Sequence, residues 1–116
     1  MNYVDGFVLA VPAVNKEAYR QMTTRFAPLL KEYGAIRVVE CWGDDVPEGK
    51  FTDFRGAVKA QEDEVVVFSW IEYPSKQVRD EANHKMMADP RIKEMGEMPF
   101  DGQRMIYGGF APLLDE

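Results

Sequence analysis

Two helices laid on a four-stranded antiparallel sheet, an α+β fold with the chain order βαββαβ, is the architecture this sequence predicts. Three observations carry that prediction. Four short segments are rich in β-branched and aromatic residues, two longer segments repeat apolar residues at steps of three and four, and turns bearing glycine or proline separate them.

The first strand runs from Tyr3 to Val11, and Pro12 ends it because proline offers no ladder donor. Asn15 stands at the N-cap position of a first helix, in which Tyr19, Met22, Phe26, Leu29, Leu30 and Tyr33 form one apolar face up to the C-terminal signal Gly34. That helix spans about residues 16 to 33. Pro28 removes one intrahelical donor, so a bend or irregular turn is expected near Thr24. The second strand covers Ala35 to Trp42 and gives way to the acidic loop from Gly43 to Gly49. Thr52 is placed to cap a short helix that turns Phe54 and Val58 inward with Phe51.

Val65 to Tyr73 is the clearest strand, apolar on both sides. Pro74 and Ser75 open a second long helix with the stripe Val78, Ala82 and Met86, which Asp89 and Pro90 end or kink. After a further turn through Met95, Arg104 to Phe110 forms the fourth strand. Two right-handed crossovers on one antiparallel sheet give the ferredoxin-like arrangement, with both helices on one face. The other face is expected to need a cover, because the third strand has no polar side. A second copy of the chain is the expected cover, which makes the protein a homodimer built sheet on sheet. The alternative is that the small helix and the tail Pro112 to Leu114 fold back over the same sheet.

At 116 residues and 13.3 kDa, the whole of 1–116 reads as one domain with enough chain to hold a core. A net charge of −6 argues against nucleic acid as a partner. Phe68 and Trp70 share a strand face as RNA-stacking aromatics do, but Glu62, Asp63 and Glu64 lead into the strand and no basic signature accompanies them. One cysteine, Cys41, and one histidine, His84, exclude an internal disulfide and a zinc ligand set of the Cys/His type. Cys41 is expected to be a small buried hydrophobe. The acidic loop matches no EF-hand spacing and reads as a solvated turn. No apolar run approaches membrane-spanning length and no signal peptide is visible, so a cytoplasmic protein without a membrane partner is expected.

The segments Cys41-Trp42-Gly43-Asp44-Asp45-Val46-Pro47, Phe68-Ser69-Trp70 through Tyr73-Pro74-Ser75-Lys76, Asp89-Pro90-Arg91 and Arg104-Met105-Ile106-Tyr107-Gly108-Gly109-Phe110 resemble the YbaA-like bacterial proteins over nearly the whole chain. The resemblance implies the dimeric α/β-barrel version of the ferredoxin-like fold and assigns no activity. More distantly, the third strand and following helix are similar to small dimeric monooxygenases of antibiotic biosynthesis and to haem-degrading relatives. Tyr73 stands where those proteins usually carry Trp, His84 where they carry a helix histidine, and Asp5 where the haem-degrading group has a polar amide.

The candidate catalytic residues are therefore Asp5, Tyr73, His84 and Arg104. His84 has an unperturbed pKa near neutrality, yet two residues from Ala82 is a rotation of about 200°, which turns it off the buried stripe. Asp5 shares a strand face with Phe7 and Leu9, and Glu40 shares one with Val38 and Trp42, so either carboxylate can be desolvated into a base. Pairing with an arginine such as Arg37 or Arg104 is the expected fate of each.

The abundance of Met, Trp, Tyr and Phe beside few polar groups predicts a pocket for a small, partly apolar molecule, with no cofactor and no metal assigned. As an enzyme, the expectation is cofactor-independent oxygenation or isomerisation. The alternatives are haem or tetrapyrrole binding through His84, and a non-enzymatic regulatory dimer.

Overall fold

A computed structural model describes residues 2–116. It contains β1 (Tyr3–Pro12), α1 (Lys16–Glu32), β2 (Arg37–Trp42), the four-residue α2 (Phe54–Ala57), β3 (Glu64–Tyr73), α3 (Lys76–Ala88), the short α4 (Pro90–Lys93) and β4 (Ile106–Phe110). The four strands form one antiparallel sheet in the order β2-β3-β1-β4. This is the predicted α+β, ferredoxin-like topology.

Register divides the sheet into two faces. Tyr3 pairs with Tyr73, Asp5 with Ile71, Phe7 with Ser69 and Leu9 with Val67, and Glu40 of β2 stands opposite Ser69. Strand alternation puts all of these on the helix side. Leu29 and Leu30 of α1, Ile71 and Tyr73 of β3, and Ala82 and Met86 of α3 pack there into one buried cluster. Leu9, Val11, Tyr19 and Val67 form a second.

Gly34 ends α1 as expected, in a Schellman motif. Its φ of 115° suits glycine, while the Gly34 amide donates to the Lys31 carbonyl and the Ala35 amide to that of Leu30. The motif occupies Ala35, and β2 begins at Arg37 rather than at Ala35. Ser75 caps α3 by accepting from the Val78 amide.

Several local expectations are corrected. α1 runs through Pro28 without a break, because the Thr24 carbonyl that loses its donor lies on an exposed residue facing water. Asp53, not Thr52, caps α2, its carboxylate accepting from the Gly56 and Gly49 amides. Phe51 is 98% exposed rather than turned inward. Asn15 sits at the N-cap of α1 but gives its side-chain amide to the Pro99 carbonyl instead. Arg104 closes a 3-10 turn, Gly102–Arg104, ahead of β4, so it is not a strand residue.

The outer face of the sheet is covered at one end only, where Val58 packs on Ala10 and Val66. Beyond it Phe68, Ile106 and Phe110 are exposed, with Pro112 at the edge of a shallow apolar groove between them. Leu113 and Leu114 of the tail are exposed as well. Cys41 also lies exposed, opposite Phe68, because the face that would bury it is open. No helix among the described residues is long and apolar enough to cross a membrane.

Candidate functional site

The interior carries two polar groupings of different character. One surrounds a cavity of about 160 Å³ between α1, the sheet and the connection into β4. Phe7, Leu9 and Ile71 form its floor; Met22, Phe26 and Leu30 of α1 form a wall; Met98, Phe100 and Met105 close it from the connection. The connection is held at both ends. Asn15 holds Pro99 at 3.0 Å, and the Arg104 guanidinium grips the Glu64 carboxylate at 2.6 and 2.7 Å.

Among these apolar walls stand Glu40, Ser69, Tyr19 and Thr23. Alternation along β2 turns Glu40 to the helix side, and the three-and-four spacing of α1 brings Tyr19 over it. The Tyr19 hydroxyl, on a residue only 6% exposed, donates to Glu40 Oε1 at 2.6 Å. Glu40 is an exposed residue of the edge strand β2, and it lines the cavity from its open side. Desolvation there raises its pKa above the ordinary 4.5, while hydrogen bonds from Tyr19 and Ser69 pull it back. The same burial, reinforced by the Glu40 charge, pushes the Tyr19 hydroxyl well above its usual value of 10.0. Tyr19 is thus a fixed donor, and Glu40 a carboxylate readier than most to take a proton.

The second grouping lies toward the other end of the sheet. Arg79 of α3 reaches Asp5 at 3.4 Å, donates to the Tyr3 hydroxyl at 3.0 Å and lies over the Tyr3 ring. Gly109 makes room for this stack, since a Cβ there would come within 2.6 Å of the Arg79 guanidinium. Burial raises the Asp5 carboxyl above its usual 3.8, and the Arg79 charge and a hydrogen bond from Asn83 counter it. Tyr73 is fully buried beside them and its hydroxyl has no hydrogen-bond partner. Burial first, then the Asp5 charge, pushes it up to about 12. Arg79 Nε also lacks a hydrogen bond, although it sits 3.1 Å from Asp80 in an ion pair. None of Asp5, Tyr73 and Arg79 lines the cavity beside Glu40.

The four catalytic candidates therefore do not converge. Asp5 and Tyr73 share the buried grouping, while His84 is exposed on α3. Arg104 is engaged by Glu64 and Asp101 at the far end of β1, where Glu64 pairs with Pro12, roughly 23 Å along the strand from Asp5. The expected arginine partners are corrected too. Asp5 meets Arg79 rather than a strand arginine, Glu40 meets a tyrosine, and Arg37 pairs with Glu72 at 3.6 Å. Sequence reading had Glu40 facing inward but missed Tyr19 and Ser69 as its partners. The signal was present in Ser69, a small polar residue set between Val67 and Ile71 on the inner side of β3. Among the described residues no three Asp, Glu, His or Cys side chains are grouped to hold a metal ion.

A family model described as "Protein of unknown function (DUF1428)" matches residues 2–102. The "Uncharacterized protein YbaA" of Escherichia coli (strain K12) and that of Shigella flexneri are each 71% identical over 117 residues, covering 100% of this chain and of the relative. Among solved structures, "Structure of Rv0793 from Mycobacterium tuberculosis" aligns with a TM-score of 0.51 at 18% identity, over 100% of this chain and 98% of that one. This last likeness is one of fold.

Proposed function

The chain belongs to this family of proteins of unknown function, and we propose that it binds a small, partly apolar molecule in the cavity beside Glu40. The observation that carries the reading is the combination of an apolar volume of about 160 Å³ with a hydrogen-bonded carboxylate in its wall. Ligand sites have that composition, a mostly apolar surface with a few placed polar groups. The larger groove on the outer face is apolar throughout and open, which suits a protein surface better than a small molecule.

The chemistry on offer is proton transfer. A carboxylate with a raised pKa is a base, and the fixed Tyr19 donor keeps it oriented. The oxygenation or isomerisation expected from the sequence needs an oxyanion donor as well. Tyr19 already gives its proton to Glu40, so binding is the function the geometry supports best.

The working form in this proposal is a cytoplasmic homodimer. Phe68 at 45%, Ile106 at 45% and Phe110 at 60% exposure form with Val4 and Val8 a contiguous apolar face, and a second copy supplies a matching one.

The cavity methionines report directly on the proposed site. In protein carrying ¹³C-methyl methionine, titration with toluene or benzyl alcohol is expected to shift Met22, Met98 and Met105 saturably. Met87, 81% exposed on α3, is expected to stay unmoved. Shifts spread evenly over all methionines, or none at all, would remove the reading.

A further inference from the structure

Resting on that binding site, we propose that the cavity selects a single-ring molecule bearing a hydrogen-bond donor or an ammonium group, and discriminates against a carboxylate of the same shape. Size fixes the first part. A cavity near 150 Å³ with apolar walls accepts benzene, and this one is about 160 Å³. A single ring with one short substituent fills such a space, and Phe26, Phe100 and the methionine sulfurs offer it edge and face contacts.

Charge fixes the second part. No lysine, arginine or histidine lines the cavity, and its one carboxylate is Glu40. Arg104, at the end of the connection that closes the cavity, is committed to Glu64, and Arg79 is held by Asp5 toward the other end of the sheet. A bound anion would meet Glu40 with nothing to neutralise either charge. A donor meets the opposite situation. An ionised carboxylate has about four acceptor sites; the Tyr19 hydroxyl takes one of them, and Ser69 stands opposite on β3. The remaining acceptor capacity of Glu40 is open to a ligand N–H or O–H, and an ammonium group gains an ion pair and the aromatic faces besides.

Three probes of nearly equal shape test this: benzylamine, benzyl alcohol and benzoate, titrated near neutral pH into the full chain and read at the methyls of Met22, Met98 and Met105. The expected result is saturable binding of the amine and the alcohol, with benzoate weaker by about tenfold or more. In Glu40→Gln, whose amide oxygen can still accept from Tyr19, the alcohol is expected to bind as before and the preference for amine over benzoate to collapse. Benzoate binding as tightly as benzylamine to the wild type would overturn the proposal while leaving the site intact. So would a preference that survives Glu40→Gln, which would then belong to the net charge of −6. If none of the three moves the cavity methyls, the binding site itself is wrong. Should Glu40→Gln fail to fold, ¹³C-carboxyl glutamate in the wild type keeps the test open. The Glu40 resonance is expected to move with benzylamine, and a Glu40 signal indifferent to bound amine would contradict the proposal.

Discussion

The hydroxyl of Tyr19 donates a 2.6 Å hydrogen bond to Glu40 in the lining of the helix-sheet cavity, tying α1 to the edge strand β2. That bond fixes a carboxylate in an apolar wall. It also makes the region sensitive to pH in a direction that can be worked out.

Burial raises the Glu40 pKa above 4.5, so the folded chain holds that proton more tightly than the unfolded chain does. The charged form then weighs against folding as pH rises above 4.5, and the penalty is complete once pH passes the folded pKa. Glu40→Gln removes it. The variant is expected to be more stable than wild type at neutral pH by about 1 kcal/mol or less, since solvent at the sheet edge screens the charge. Denaturant melts are expected to show the gap closing as pH falls below 4.5. A gap that is constant with pH, or reversed, would mean the carboxyl is not desolvated.

Tyr73 gives a second prediction. Its hydroxyl is buried without a partner, a state that costs about 1–3 kcal/mol when nothing replaces the lost water. Tyr73→Phe keeps the ring and deletes the orphan, and is expected to stabilise the protein by about 1 kcal/mol in thermal unfolding. Clear destabilisation would show that the hydroxyl has a partner after all, and would return Tyr73 to the list of chemically active groups.

The open sheet face gives a third. Multi-angle light scattering is expected to return about twice the chain mass of 13.3 kDa. Phe110→Asp, on a residue 60% exposed, is expected to halve that mass with the circular dichroism spectrum retained. A wild-type monomer at micromolar concentration would refute the assembly.

The fold was legible because each of its elements is specified locally. Alternation in β1 and β2, the stripe on α1, Gly34 and the Pro74-Ser75 start are patterns a few residues long, and the structure realises each of them. The site was legible by halves. Alternation turned Glu40 inward and helix spacing turned Tyr19 inward, but their meeting depends on where along the sheet α1 settles, a long-range fact no local pattern holds. Arg79 shows the same limit. It lies one residue past Val78 of the buried stripe, and only its length carries the guanidinium back to Asp5. Arg104 was misplaced for a local reason, because Asp101 accepts from the Gln103 amide and starts a turn where a strand was expected.

If the cavity beside Glu40 is a binding site, filling it abolishes binding. Ser69 is 4% exposed on the inner side of β3 and lines the cavity, so Ser69→Leu projects an apolar side chain into the space a ligand ring would occupy. Calorimetric titration of benzylamine is expected to give saturable heat with the wild type and none with the folded Ser69→Leu variant. Equal binding by both proteins would place the ligand outside this cavity and overturn the proposed site.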